Sequence, residues 1–303
     1  MKAKSNISRR QFLAKATLAS GSIFILPGLL KADATPTPLS GGLVTLGNTG
    51  LKLSKLGMGT GTFSGNVQRG LGFDGFNKLI RFGYDCGLTY IDTADSYKTH
   101  EYVSRAIKGL PREKLFILTK MSGGTKNPKE TLDRFLKELD TDYIDCVLVH
   151  CATSPTWDQE AKPVMDYLSE AKEKKLIKTK GVSCHGLPAL RRTVDVDWVE
   201  VQLVRINPQG KNIDGPDAHW NKPGNETNVS EVVSLIKKLR EKGRGILGMK
   251  LMGEGAFKDP EDREKSIKFA YQRNLIHSAT IGFASTAELA EAVERVNRNS
   301  QST

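Results

Sequence analysis

Residues 88–120 read LTYIDTADSYKTHEYVSRAIKGLPREKLFILTK. Two apolar, β-rich runs end at Asp92 and at Lys120 and enclose a polar, helix-compatible segment. That is the rhythm of a strand followed by a helix. The next such run, YIDCVLVH, ends at His150, and KTKGVS, DWVEVQLV, GILGMK and SATIG follow, ending at or near Ser183, Val204, Lys250 and Gly282. With KLGMGTGT near Gly59 the runs number eight. Amphipathic segments at 129–139, 164–174, 229–242 and 260–272 separate them, the first opened by the helix-starting pair Asn127-Pro128. One βα unit in about 30 residues is the spacing of parallel strands joined by crossover helices. Eight units predict an α/β fold of the (β/α)8, or TIM-barrel, type. A doubly wound sheet is the competing architecture, but no GxGxxG turn opens a helix after the first strand.

In such a barrel the reactive side chains stand at the carboxyl ends of different strands. Asp92, Lys120 and His150 close three of the runs, and Tyr97 follows Asp92 by five residues. Each alone has an ordinary role: a turn cap, a solvated strand end, a satisfied polar group, a surface aromatic. Together they match what carbonyl reduction requires, which is a proton for the oxygen as hydride reaches the carbon. A phenol with a pKa of about 10 needs help to act near neutrality. Lys120 would lower the pKa of Tyr97, Asp92 would hold Lys120 charged, and a neutral His150 would donate to the carbonyl oxygen.

The 303 residues are 38% hydrophobic, enough for one barrel domain over 35–303. The first 34 belong apart. Ser8-Arg9-Arg10-Gln11-Phe12-Leu13 and Lys15 precede an apolar, alanine-containing run to Leu30 and the small-residue site Ala32-Asp33-Ala34. This resembles a twin-arginine signal peptide, implying export of a folded chain by the twin-arginine machinery, in a bacterium to the periplasm. An uncleaved anchor is the alternative, although Ser20-Gly21-Ser22 and Pro27-Gly28 interrupt the run and a span needs about 20 residues. Of the net charge of +11, this leader contributes +5, leaving +6. Solvated helix faces account for that surplus, and no nucleic-acid partner is expected. Cys86, Cys146, Cys151 and Cys184 have neither CxxC nor zinc-finger spacing, so no metal site is expected. In an oxidising compartment Cys151 and Cys184, one residue past adjacent strand ends, are candidates for a bridge; two free thiols are the simpler reading.

The segment YIDTADSYKTHEYVSRAIKG, followed by LTK and LVH, resembles the aldo-keto reductase family. The resemblance extends over the whole region after the leader. It begins at GGLVTLGNTGLKLSKLGMGTGTF, similar to the family's amino-terminal hairpin that closes the barrel base. It implies an NADP or NAD cofactor bound without a Rossmann fold, with Tyr97 as general acid, Asp92 and Lys120 tuning it and His150 orienting substrate. On the cofactor side it implies Gly59 and Thr60 after the first strand, Ser183 and Cys184 in the family's GVSN position, Gln202, Arg205 at an aromatic stacking position, and Lys250 near the pyrophosphate. In IGFASTAELAEAVERV it implies Gly282, Ser285 and Thr286 at the adenosine phosphate. Ala284 stands at a usually basic position, Glu288 at another polar or basic one and Ala292 at an asparagine, departures that leave NADP and NAD both open. The loop 207–228, rich in Gly, Pro and Asn, is the candidate lid. Trp220 within it and Trp157 after His150 are candidate substrate walls, with loop or core packing as the alternative for each. A small carbonyl or alcohol substrate is expected. A cofactor-binding sensor without turnover is the reading from a different class.

Overall fold

The computed structural model describes residues 34–300; residues 1–33 of the expected leader lie outside the described residues. A two-stranded antiparallel hairpin, β1 (Leu43–Thr45) and β2 (Lys52–Ser54), comes first. Eight parallel strands then close on themselves: β3 (Leu56–Gly59), β4 (Tyr90–Asp92), β5 (Phe116–Ser122), β6 (Ile144–Ala152), β7 (Ile177–Cys184), β8 (Val201–Arg205), β9 (Gly245–Met249) and β10 (Ser278–Ile281). The last strand pairs with the first, Ala279 opposite Leu56 and Ile281 opposite Met58. The principal crossover helices are α1 (Gly72–Asp85), α2 (His100–Ile107), α3 (Pro128–Leu139), α4 (Lys162–Glu173), α5 (Leu187–Thr193), α6 (Val229–Glu241), α7 (Pro260–Gln272) and α8 (Thr286–Asn299). The TIM barrel expected from the strand rhythm is the fold observed.

Two apolar layers hold it. The outer one lies between strands and helices and includes Ile91, Ile117, Val147 and Val149 with Phe76, Phe135, Leu168 and Leu239. The inner one fills the barrel with Tyr90, Phe116, Leu118, Cys146, Leu148, Val201, Leu203 and Leu247. Leu46 and Leu53 of the hairpin join the inner layer, both completely buried. The hairpin thereby closes the amino-terminal end of the barrel, and Asn48 N–H donates to Gly243 O at 2.8 Å across that end. Alternation along a strand places Tyr90 and Asp92, then Leu118 and Lys120, then Leu148 and His150, on the inward parity. The sequence pattern thus lifts three polar side chains onto the carboxyl-terminal mouth, directly above the apolar fill.

Candidate active site

Lys120 is 1% exposed, a charge placed inside a barrel. Its Nζ donates to Asp92 Oδ1 at 2.6 Å and to Thr93 O at 2.8 Å. The second carboxylate oxygen, Asp92 Oδ2, accepts from Tyr90 Oη at 2.9 Å. Burial opposes the ammonium, but the Asp92 carboxylate and the Tyr97 hydroxyl outweigh it, and the lysine pKa is raised. Lys120 is therefore a fixed cation at any physiological pH. Tyr90 was not among the expected site residues. Its signal is positional: two residues before Asp92 on a strand, it must face the same way. Gly57 on the neighbouring strand makes room for it, since a Cβ there would stand 2.1 Å from the Tyr90 ring.

Tyr97 ends a single 3-10 turn, Asp95–Tyr97, carried by the loop after β4. Thr93 N–H donates to Leu118 O at 2.8 Å, and the buried hydroxyls of Thr60, Thr99 and Thr93 run in a chain at 2.8 Å each. Thr60 Oγ1 also lies 3.0 Å from Asp92 O. These bonds pin the loop to the barrel, while the Arg69 guanidinium donates to Tyr97 O from the opposite side. A Cβ at Gly61 would meet the Tyr97 ring at 2.4 Å, so the wall facing the phenol can carry no side chain. Lys120 Nζ stands 4.9 Å from the ring centroid and the His150 ring meets it edge-on at 5.7 Å. Burial raises the phenol pKa, and the nearby Lys120 ammonium lowers it by a smaller amount. The expected direction of the Lys120 influence is present, yet in this state desolvation wins and the phenol stays protonated.

His150 is pushed down to about 3 by burial first and by the Lys120 charge second. It is a neutral imidazole across the physiological range, as a hydrogen-bond donor to a carbonyl oxygen requires. His277 is lowered to about 4, chiefly by burial, and His185, whose ring lies 6.1 Å from that of His150, falls well below the ordinary value. The unfolded chain takes up a proton on each near pH 6.5 while the folded chain does not, so stability must fall as pH drops below that value. The expected slope is up to about 1.4 kcal/mol per pH unit for each such histidine. Denaturant midpoints between pH 7.5 and 4.5 will show it, and His150→Asn should flatten the curve by one histidine's share. An unchanged slope in that variant would remove His150 from the account.

A cavity of about 450 Å³ opens beside this group. Tyr97, Asp92, Gly59 and Gly61 form one end, Leu203 and Met249 its floor, and Lys250, Phe257, Lys258, Ile267, Gly282, Glu288 and Ala292 carry it out between β9, β10 and the amino ends of α7 and α8. Of the residues expected around a cofactor, Gly59, Lys250 and Gly282 line it. Lys250 Nζ is ion-paired to Glu254 at 2.7 Å. Thr60 is buried in the hydroxyl chain instead. Ser183 Oγ is buried at the end of β7 with no partner among the described residues. Cys184 and Gln202 face each other, Sγ 3.7 Å from Oε1, and Gln202 Nε2 donates to Leu203 O at 2.8 Å. Gln202 falls on the outward parity of β8, which occupies its amide within the protein. Ser285 is the N-cap of α8, Oγ accepting from Glu288 N–H at 3.2 Å, and Thr286 is the first residue of that helix.

Arg205 does not line the cavity. Its Nε lies 3.7 Å from Asp214 Oδ1 and its Nη2 donates to Trp220 O at 3.3 Å, so it sits beneath loop 207–228. In this arrangement the Arg205 guanidinium is turned to Asp214 and the Trp220 carbonyl. Met249 and Leu203 offer the apolar surface of the cavity floor, and both were hidden inside strand-like runs. Trp157 requires a correction: it is 2% exposed within the outer core, because its helix turn packs against the barrel wall. Trp220 is 60% exposed on the loop. Cys151 and Cys184 are both free thiols, and Cys184 Sγ lies 3.3 Å from Thr193 Oγ1.

A model of the aldo/keto reductase family matches residues 55–302, and the chain belongs to that family. An aldehyde reductase of Saccharomyces cerevisiae is 38% identical over 106 residues, 34% of this chain and 31% of its own length. A methylglyoxal reductase of Yersinia pestis is 34% identical over 137 residues, 44% of this chain and 47% of its own. The chain thus spans about a third to a half of the length of these curated relatives. The holo form of an aldo-keto reductase from Bacillus halodurans superposes with a TM-score of 0.67 over 86% of this chain and 95% of its own, at 16% identity, a likeness of fold.

Proposed function

We propose that this protein is a nicotinamide-dependent oxidoreductase that interconverts small aldehydes or ketones and their alcohols. The observation that carries the proposal is the buried Asp92–Lys120 ion pair behind Tyr97, with a neutral His150 edge-on to the phenol, beside a cavity that Asp92 and Tyr97 help to line. At about 450 Å³ the cavity lies in the range of small-molecule and cofactor sites, and its lining suits a dinucleotide. Met249 and Leu203 would lie under the nicotinamide, and Ser183 Oγ is an unsatisfied donor beside them. Lys258, with no ion pair among the described residues, would face the pyrophosphate. When bound, the nicotinamide supplies or accepts the hydride.

The chain's own residues handle the proton. In the reducing direction Tyr97 Oη gives its proton to the carbonyl oxygen and is left as phenolate beside the Lys120 ammonium, which stabilises the charge. Asp92, held by Tyr90, keeps that ammonium aimed. His150 donates to the same oxygen and orients the carbonyl without changing its own charge. Oxidation of an alcohol reverses each transfer, the phenolate taking the hydroxyl proton.

The proposal extends to export through the twin-arginine route, supported by the leader pattern in residues 1–34. A cofactor loaded before translocation would give that route a reason, since folded passengers keep their ligands. One experiment addresses both parts. Protein recovered from the exported fraction of cells expressing the full chain should carry nicotinamide nucleotide by mass spectrometry and oxidise the reduced form only when a carbonyl is added. Retention of the chain in the cytoplasm would sink the export reading. Absence of carbonyl-dependent oxidation over a broad aldehyde and ketone panel would sink the enzymatic one.

A further inference from the structure

From Tyr97 and the residues Thr62, Phe63 and Val67 after β3, the cavity lining continues across β9 and β10 to α7 and α8. A dinucleotide whose reactive ring lies at Tyr97 must therefore carry its other nucleoside to the amino end of α8. The wall it meets there sets the carboxylates of Glu288 and Glu291 beside Arg263, Arg295 and Lys258. Glu288 lines the cavity, and its Oε2 accepts the backbone N–H of Ala284 at 2.8 Å while its own N–H is taken by Ser285 Oγ at 3.2 Å. The helix terminus is thus capped reciprocally by its own side chains. Glu288 has no cationic partner among the described residues. The two arginines of the same wall are already held by carboxylates: Arg263 Nε by Glu291 Oε1 at 2.7 Å, and Arg295 by Glu291 at 2.8 Å and Glu264 at 2.5 Å.

We propose that Glu288 makes this protein select NAD(H) and reject NADP(H), by accepting hydrogen bonds from the adenosine ribose diol. The inference rests on the nicotinamide-nucleotide reading above. A 2′-hydroxyl is a donor and suits a carboxylate; a 2′-phosphate brings only acceptors and about two negative charges, both guanidiniums of this wall are already ion-paired, and the Lys258 ammonium is the one assigned above to the pyrophosphate. Ala284 and Ala292, both small and apolar, add no compensating donor from their side chains.

The test is direct binding, independent of turnover. Purified full-length protein, freed of bound nucleotide, is titrated with NADH, NADPH, 5′-AMP and adenosine 2′,5′-bisphosphate by calorimetry or protein fluorescence. NADH is expected to bind at least about tenfold more tightly than NADPH, with 5′-AMP ahead of the bisphosphate in the same sense. Glu288→Gln keeps an acceptor for Ala284 N–H but removes the charge, and should narrow the ratio to about threefold or less, mainly by tightening NADPH. Raising the salt should narrow the wild-type ratio in the same direction. Equal binding, tighter NADPH binding, or a ratio unchanged in Glu288→Gln would overturn the role of Glu288 and leave the enzymatic reading standing. Binding of neither dinucleotide would overturn both.

Discussion

Tyr97→Phe should lower turnover by about 10²–10⁴-fold, the range of a single positioned general acid, while leaving nucleotide affinity within about twofold of wild type. The asymmetry follows from geometry. Tyr97 lines one end of the cavity, whereas Leu203, Met249, Lys258 and Glu288 line the rest. Removing one hydroxyl deletes the phenolic proton next to the Asp92–Lys120 pair but leaves the ring that packs against Gly61 and His150. Stopped-flow reduction of a reactive aldehyde, with nucleotide affinity measured in parallel, will separate the two effects. Turnover within about threefold of wild type would exclude Tyr97 as the acid.

Lys120→Met is expected to cost about 3–5 kcal/mol of folding stability, because it leaves the Asp92 carboxylate buried without its counter-ion. A surface pair would cost a small fraction of that; here both side chains are 5% exposed or less. Tyr90 would still donate to Asp92 Oδ2, which softens the loss without replacing a charge. The double variant Lys120→Met/Asp92→Leu should recover much of the stability while remaining inactive, since the buried ionic requirement is then gone but the proton machinery is too. Urea midpoints at constant m-value decide it. If the single and double variants unfold together, the pair is not the stress point inferred here.

The barrel was legible because its strands are buried on both faces and read as unbroken apolar runs, and because each ends where a polar residue appears. Asp92, Lys120 and His150 stood out for that reason: polar side chains at the inward parity of otherwise apolar strands need an explanation. Tyr90 did not stand out, because an aromatic in a strand reads as core, and its hydroxyl bond to Asp92 exists only once the pleat is built. Met249 and Leu203 were hidden in the same way. Arg205 is a different case. Its place along the chain suggested a cofactor contact, but a side chain that long is aimed by its neighbours, here Asp214 and the carbonyl of Trp220 in a loop whose path no local pattern specifies. Trp157 was undecidable locally, since a buried wall and a pocket wall demand the same residue.

The seam where β10 meets β3 joins positions more than 220 residues apart, Ala279 beside Leu56. Ala279 N–H and Tyr271 Oη both donate to Lys55 O, at 2.9 and 2.5 Å, and Asn297 clamps Ser40 N–H at 2.7 Å. Gly59 and Gly282, both on the cavity wall, lie at this seam. The cavity therefore has no partial existence during synthesis: until the last strand has left the ribosome and docked, one of its walls is missing. Closure of such distant contacts is the slow, late event of folding. A ligand lying across Gly59 and Gly282 would bridge the first and last strands of the ring and add its binding free energy to the closure.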